Sequence, residues 1–515
     1  MAGMEHVISV EELLSRKVKV VRTEAGETSR GNVQPIIAAD QETQSGSIEV
    51  GQAIEIKVSP STEQRLKRLE KAGDQAEKTG RKIQQVPFLL RDNKNVAKYF
   101  EPKVVSFGPI HHGKPRYQLA EENKLLLANK FVEESGKGKK AESLYVEIEK
   151  KIKQLREYFD EEVNKKYEDD EYLAWMLFVD GCAVLQFIYY VVEDKFKDLK
   201  IKDDRVVFGV ADLFLLENQL PYQLLEDLME LSENKKRFKD SIDSFIERHS
   251  NCKDKKTSIE KPPADDDKKT SISIEKPPAD DDRKTSIGIE KAEMPPAHLL
   301  DRLRTRLLRD SKNKSNDEYM CMGQKGQDNW QSYRNIQELK AAGIQLKPSE
   351  SSSLADVSFT DHPFNFYPGY IYLPRITVDD STGAKFLNLI AYEMCPNFDN
   401  DFGVTSYICF LDSLIDHPDD VKELRNARIL HNLLGSDKEV SRLFNDIATD
   451  LVPNPKTYGY VKGQIQKCYD TKWKTWIAQV IHDHFSSPWT IVGFTAAVLV
   501  FLLTAIQTWY TVFSP

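Results

Sequence analysis

The sequence predicts a mainly α-helical globular domain with a few short strands, followed by one C-terminal transmembrane helix. Three observations predict it. Apolar residues recur at helical spacing through most of the chain, with only short apolar runs set between turn residues. The 515 residues are 40% hydrophobic and 30% charged, enough for a large core under a very polar surface. The stretch from Phe485 to Pro515 carries no charged residue at all, and nothing before it looks like that.

Each part of the chain adds to this reading. Residues 1–82 are polar and poor in aromatics, which predicts a variable, largely disordered region with a charge-dense exposed helix near 61–82. From Ile83 the texture changes. Val86–Leu90 and Val104–Pro109 are short apolar runs broken by Pro and Gly, the pattern of extended segments and turns. Helical patterns follow at 117–134 and 141–166. Tyr172–Val192 is apolar enough to rival the C-terminal stretch as a membrane span. Asp180 sits near its middle, however, at about 2.5–3.5 kcal/mol on insertion scales, and Gly181 and Gln186 weaken it further. It therefore reads as a buried core helix with Asp180 hydrogen-bonded inside the protein. A helix over Ala211–Leu231 comes next, with Glu217, Asn218 and Gln219 pinning a bend at Pro221. Residues 83–250 form the first part of the globular domain.

Residues 251–297 interrupt it. Three imperfect copies of one phrase begin at Lys256-Thr257-Ser258, Lys269-Thr270-Ser271 and Lys284-Thr285-Ser286, each leading to Pro-Pro-Ala. Paired prolines, Asp triplets and few apolar residues predict a disordered insert. Two basic residues precede each phrase's serine, so Ser258, Ser271 and Ser286 are candidate phosphorylation sites. The domain's second part, 298–470, opens with a helix at His298. Then come a helix over Asn335–Lys347 ending at Gly343 and strands near 354–359 and 370–378. Helices at 383–394, 404–416 with a continuation over 419–433, and 437–450 complete it. Residues 471–487 are a juxtamembrane segment.

Residues 488–511 are the transmembrane helix. Trp489 and the Trp509–Tyr510 pair mark its ends about 20 residues apart, roughly 30 Å of helix and the thickness of a bilayer's hydrocarbon core. Aromatic rings favour the two membrane interfaces. The N-terminus has no apolar signal segment, so the span reads as a tail anchor. Lys467, Lys472 and Lys474 precede it and no Lys or Arg follows, which places the bulk in the cytosol, on the plasma membrane or an endomembrane. Gly493 and Ala497 form a small-x-x-x-small pair, a motif for a homo-oligomer through this helix. The expected partners are the lipid bilayer and an unidentified protein. The net charge of −9 argues against nucleic acid, and a mean hydropathy of −0.51 argues against several spans.

The phrases Val86-Pro87, Val105–Gly113, Val179–Cys182 and Asp212–Pro221 keep a definite order. They are followed by Glu338–Gly343, Asp380–Glu393, Leu434–Asp437 with Phe444-Asn445, and Pro488-Trp489 at the opening of the span. Together they resemble the plant DUF247 family from about Ile83 to Tyr510. Ile110 departs from the aromatic residue usual before the paired histidines, and the 251–297 repeats are an insertion. The resemblance implies a plant protein with a C-terminal span and no established activity. Some grass members are associated with pollen-side self-incompatibility, which extends the expectation to a recognition role.

No signature of chemistry stands out. G-x-S-x-G, P-loop, Rossmann and H-E-x-x-H patterns are missing. The adjacent His111 and His112 point different ways and, between Gly108-Pro109 and Gly113, fit a turn. His482-Asp483-His484 fits headgroup contact or solvation. The six cysteines, Cys182, Cys252, Cys321, Cys395, Cys409 and Cys468, form no C-x-x-C pair and read as reduced thiols. The expectation is a non-enzymatic interaction, recognition or signalling component with no catalytic, cofactor or metal residues. A membrane-tethered hydrolase built from distant positions is the alternative.

Overall fold

The structure is a computed structural model. It describes residues 60–75, 80–199, 201–250, 295–309, 334–361, 369–399, 401–469 and 488–513. Most of the N-terminal region, the repeats with Ser258, Ser271 and Ser286, and the whole juxtamembrane segment with His482–His484 lie outside the described residues. The chain divides into two units, Met1–Gly73 and Asp74–Pro515. Helix α1 (Pro60–Gln75) straddles that boundary, with its measured side chains exposed and a Glu63–Lys67 ion pair along one face.

The second unit is built around one helix. The first half supplies α2 (Phe88–Arg91), α3 (Gln118–Glu134), α4 (Ala141–Glu149), α5 (Ile152–Arg156), α6 (Glu161–Lys166), α7 (Asp170–Val192), α8 (Asp203–Asp212), α9 (Tyr222–Leu231) and α10 (Lys235–His249). Helix α7 is apolar on every face, and a helix of that kind has to be surrounded. It packs against α3, α4, α5, α9 and α10, with residues from Leu173 to Tyr190 almost all buried. Its start is fixed locally: the Asp169 carboxylate accepts from the backbone N–H groups of Glu171 and Tyr172. Gly181 lets α9 cross closely, because a Cβ there would lie 2.6 Å from Leu228 Cδ1.

The second half supplies α11 (Leu299–Leu308), α12 (Ile336–Ala341), α13 (Thr382–Glu393), α14 (Gly403–Leu414), α15 (Pro418–Asn426), α16 (Asp437–Ala448) and α17 (Gly459–Tyr469). Five short strands accompany them. β1 (Ile344–Pro348) pairs parallel to β3 (Gly369–Leu373), and β2 (Ser358–Thr360) pairs antiparallel to β3's other edge. β4 (Ile376–Val378) pairs parallel to β5 (Leu430–Asn432). One contiguous apolar core runs from Ile83 to Cys468 through both halves. Helix α18 (Pro488–Phe513) ends the described chain.

Five boundaries differ from the sequence reading, each for a local reason. The Ala211–Leu231 helix is broken into α8, a 3-10 turn at Leu216–Asn218 and α9, because Pro221 lacks an N–H and disfavours helix at Leu220. The Asn335–Lys347 helix stops at Ala341. Gly343 takes φ +82, and Ile344 onward becomes β1. The 419–433 continuation is α15 and then β5, separated by Arg428 at φ +58. The single strand at 370–378 is two strands in different sheets, split by Pro374-Arg375. The 141–166 helix is three short ones, α4 to α6. Near the start, Phe88–Arg91 turns helical, whereas 104–109 is loop and turn as read, and Ile83 makes an isolated parallel bridge to Phe159.

Candidate functional site

The segment from Pro102 to Gly113 forms neither helix nor strand, yet much of it is buried. Its backbone N–H groups therefore need partners from elsewhere. Side chains supply them. Asp212, at the end of α8, accepts from the backbones of Lys103, Val104 and Val105 at 2.8, 2.8 and 3.0 Å. Asn218 accepts from Phe107 N at 2.7 Å and donates to Val105 O and Asp212 O. Asp180, in the middle of α7, accepts from Gly108 N at 2.8 Å. Gly108 sits at φ +68, and a Cβ there would lie 2.7 Å from Gln219 O, so glycine alone fits that approach.

Asp180 is also half of a buried ion pair. Lys124 of α3 reaches it at 2.6 Å and is 1% exposed. The same ammonium donates to Ser106 O at 2.9 Å and meets Glu121 at 2.8 Å. Burial pushes the Asp180 carboxyl up and Lys124 pulls it back. A charge this deep is tolerated only when paired and hydrogen-bonded, as both partners are here.

Glu217 and His111 extend the network. Glu217 accepts from Val86 N at 2.8 Å, and its other oxygen lies 2.9 Å from His111 Nε2, off the line of a hydrogen bond. Lys114 donates to His111 Nδ1 at 2.9 Å, which leaves the ring proton on the Glu217 side. His112 points elsewhere, with Nε2 3.0 Å from the Tyr172 hydroxyl. Burial holds the His112 ring below its ordinary pKa. Both histidines thus sit in a turn, tied to their surroundings by these contacts. With Lys114 on Nδ1 and Glu217 against Nε2, neither His111 nitrogen is open to take a proton from a substrate in this arrangement.

Gln219 and Asn388 join the halves, and Glu393 ties the second half together. Gln219 donates to Leu213 O and Leu215 O and accepts from Leu300 N of α11. Asn388 of α13 accepts from Leu216 N and donates to Tyr99 O and Ala384 O. Glu393 accepts from Arg304, Val404 N, Thr405 N and the Thr405 hydroxyl at 2.6–2.9 Å. Of the trio read as pinning the bend, Asn218 and Gln219 do bond its backbone, at Asp212 O, Leu213 O and Leu215 O, and all three residues also form the junction of the loop and both halves. Lys124 and Arg304 escaped the sequence reading. A signal for Lys124 was present: it shares helical spacing with Ala120, Leu127, Ala128 and Phe131, all buried.

The thiols are quiet. Cys182, Cys395 and Cys409 are free, and burial pushes Cys395 to about 12 and Cys409 to about 11. Among the described residues no group of three His, Cys, Asp or Glu is placed to hold a metal ion. A cleft of about 470 Å³ opens between Lys98, Tyr99, Asp380, Gly383, Arg442 and Asp446, lined by charges of both signs.

The residues expected from the sequence to anchor the chain lie along α18. Trp489 and Trp509 are 81% and 64% exposed, Gly493 and Ala497 lie on exposed turns between them, and Tyr510 falls in the last turns. The window Val492–Trp509 is long and apolar enough to cross a membrane and is not buried in the protein at all.

A family model described as DUF247, plant protein of unknown function, matches residues 83–503. The chain belongs to this plant family. It is similar to UPF0481 protein At3g47200 of Arabidopsis thaliana, 26% identical over 463 residues, covering 81% of this chain and 83% of that one. It also resembles a second UPF0481 protein of that plant, At3g02645, 28% identical over 183 residues, covering 35% and 33%. No solved structure matches.

Proposed function

We propose that this protein is a tail-anchored interaction component, non-enzymatic, holding a globular domain on the cytosolic face of a membrane. The observation that carries the reading is α18: uncharged, apolar and exposed on every side chain described. An exposed apolar surface of that size needs a non-aqueous partner, and its length suits a bilayer. The polar side chains of the family phrases support the non-enzymatic part, because they are committed to holding a loop. Recognition, as associated with some grass relatives, is the form of interaction proposed. The test has two arms. Full-length protein is expected to stay with membranes through alkaline carbonate extraction, and release into the supernatant would sink the anchor. Proximity labelling in native tissue is expected to mark a reproducible protein neighbour, and protease protection of the globular part in sealed microsomes would reverse the orientation.

A further inference from the structure

Helices α4 and α7 pack together and present one continuous surface. On α4, Glu142, Tyr145 and Glu149 recur at spacings of three and four residues; on α7, Glu171, Trp175 and Phe178 do the same. The rings lock together across the two helices. Tyr145 lies 5.8 Å from Trp175 and 5.8 Å from Phe178, both edge to face, and Trp175 lies 6.1 Å from Phe178. Trp175 is nevertheless 49% exposed. A large aromatic held rigid by its neighbours, with a face left open, is the residue type that anchors protein interfaces.

The charges that weigh most on the Tyr145 ring are negative. The Tyr145 hydroxyl donates to Glu149 at 3.2 Å, and the charges acting on it are those of Glu149, Glu171 and Asp169. Among the described residues Glu142 and Glu171 make no ion pair, and the Glu149 carboxylate accepts from Tyr145 alone. Covering this surface with an apolar partner would strand three carboxylates out of water. A phosphate-bearing partner or an anionic lipid surface would meet repulsion. A guanidinium or ammonium suits every group at once: the ring face attracts a cation, and the flanking carboxylates neutralise it.

We infer that the α4–α7 face docks a cationic segment of a protein partner, with an Arg or Lys seated over Trp175 between Glu149 and Glu171. This deepens the interaction reading above and rests on it.

The probe is fluorescein-labelled octa-arginine titrated against the full chain in nanodiscs, with octa-glutamate as its opposite. Octa-arginine is expected to bind saturably and more weakly as salt rises. Trp175→Ala is expected to cut affinity at least tenfold, with Trp175→Phe within about threefold of wild type. Glu149→Gln with Glu171→Gln is expected to cut affinity at least tenfold and flatten the salt dependence. Those two positions are on the surface and leave the fold intact, so they decide the matter even if Trp175→Ala unfolds. Equal binding by all variants would mean that only the chain's bulk negative charge attracts the peptide, and the proposal fails. Equal binding of octa-glutamate also overturns it. Proximity labelling separates the two levels: no neighbour for wild type sinks the interaction reading, whereas the same neighbour at the same yield for Trp175→Ala sinks only this surface.

Discussion

Helices α7 and α18 are both long and apolar enough to cross a membrane, and they end in opposite surroundings. In the apolar window of α7, 83% of residues are buried inside the protein; in that of α18, none are. The difference lies in how each satisfies its polar groups. In α7, Asp180 needs Lys124 and Gly108, and Gln186 needs Glu134. In α18 the threonines bond their own helix: Thr495 to Val492 O, Thr504 to Val500 O, Thr508 to Thr504 O and Thr511 to Gln507 O. Helix α7 therefore depends on protein around it, while these four threonine hydroxyls of α18 donate within their own helix, as a bilayer favours. Hydropathy alone does not separate them; the partners of a few polar side chains do.

The strongest way to break the contrast is to orphan the charge in α7. Asp180→Ala leaves the Lys124 ammonium buried beside Ser106 O without its main counter-ion. A loss of about 3–5 kcal/mol in chemical denaturation is expected, with membrane association unchanged in any folded fraction. A double change to Lys124→Met and Asp180→Leu is expected to recover much of that loss, because removing both partners leaves no stranded charge. Failure of the double change to recover it would mean that Gly108's hydrogen bond, rather than the ion pair, is what the core requires.

The reverse perturbation belongs in α18. Leu499→Arg places a charge near the middle of the span, at about 2.5–3.5 kcal/mol of insertion free energy. The protein is expected to shift toward the carbonate-soluble fraction, with the melting temperature of the globular unit unmoved. A matching fall in melting temperature would show that α18 packs on the domain and is not an independent anchor.

A subtler change returns to α7. Gly181→Ala puts a methyl 2.6 Å from Leu228 Cδ1, and Leu224 Cδ2 is 3.2 Å away. Overpacking of this kind is expected to cost about 1–3 kcal/mol, relieved in part by Leu228→Ala. Were Gly181→Ala neutral, α9 would have room to shift, and the close crossing would not be a requirement of the core.

How much of this was legible follows from what each residue needs. Asp180 could be read because one carboxylate in twenty apolar residues has only two explanations, and the sequence around it favoured the core. The exposed apolar helix α18 could be read because its signal is local: no charge, aromatic ends and enough length to cross a membrane. The role of Asp212, Asn218 and Gln219 could not. Their partners lie 81 to 113 residues away in the 102–113 loop and in α11, and one sequence carries no record of which loop a side chain will cap. The broken helix at 211–231 was missed for the same reason. Its apolar spacing is helical throughout, and only the tertiary demand on Glu217–Gln219, with Pro221, unwinds the middle.

A carboxylate that lacks an ion-pair partner sharpens what the α7 pairing is worth. Asp412 on α14 is half-buried, has no ion pair among the described residues and faces Asp416. Burial first, and the neighbouring Asp416 second, push it up to about 6 from an ordinary 3.8. Between those values the folded state binds more protons than the unfolded chain, so stability falls as pH rises from about 4 to 6. Asp412→Asn removes the group that titrates there. Denaturation midpoints across that window are expected to slope downward less steeply for Asp412→Asn than for wild type, with the two converging below pH 4. Parallel slopes would mean that Asp412 keeps an ordinary acidity. Burial alone would then not separate its fate from that of Asp180, and the lysine at position 124 would be less decisive for α7 than the contrast with α18 implies.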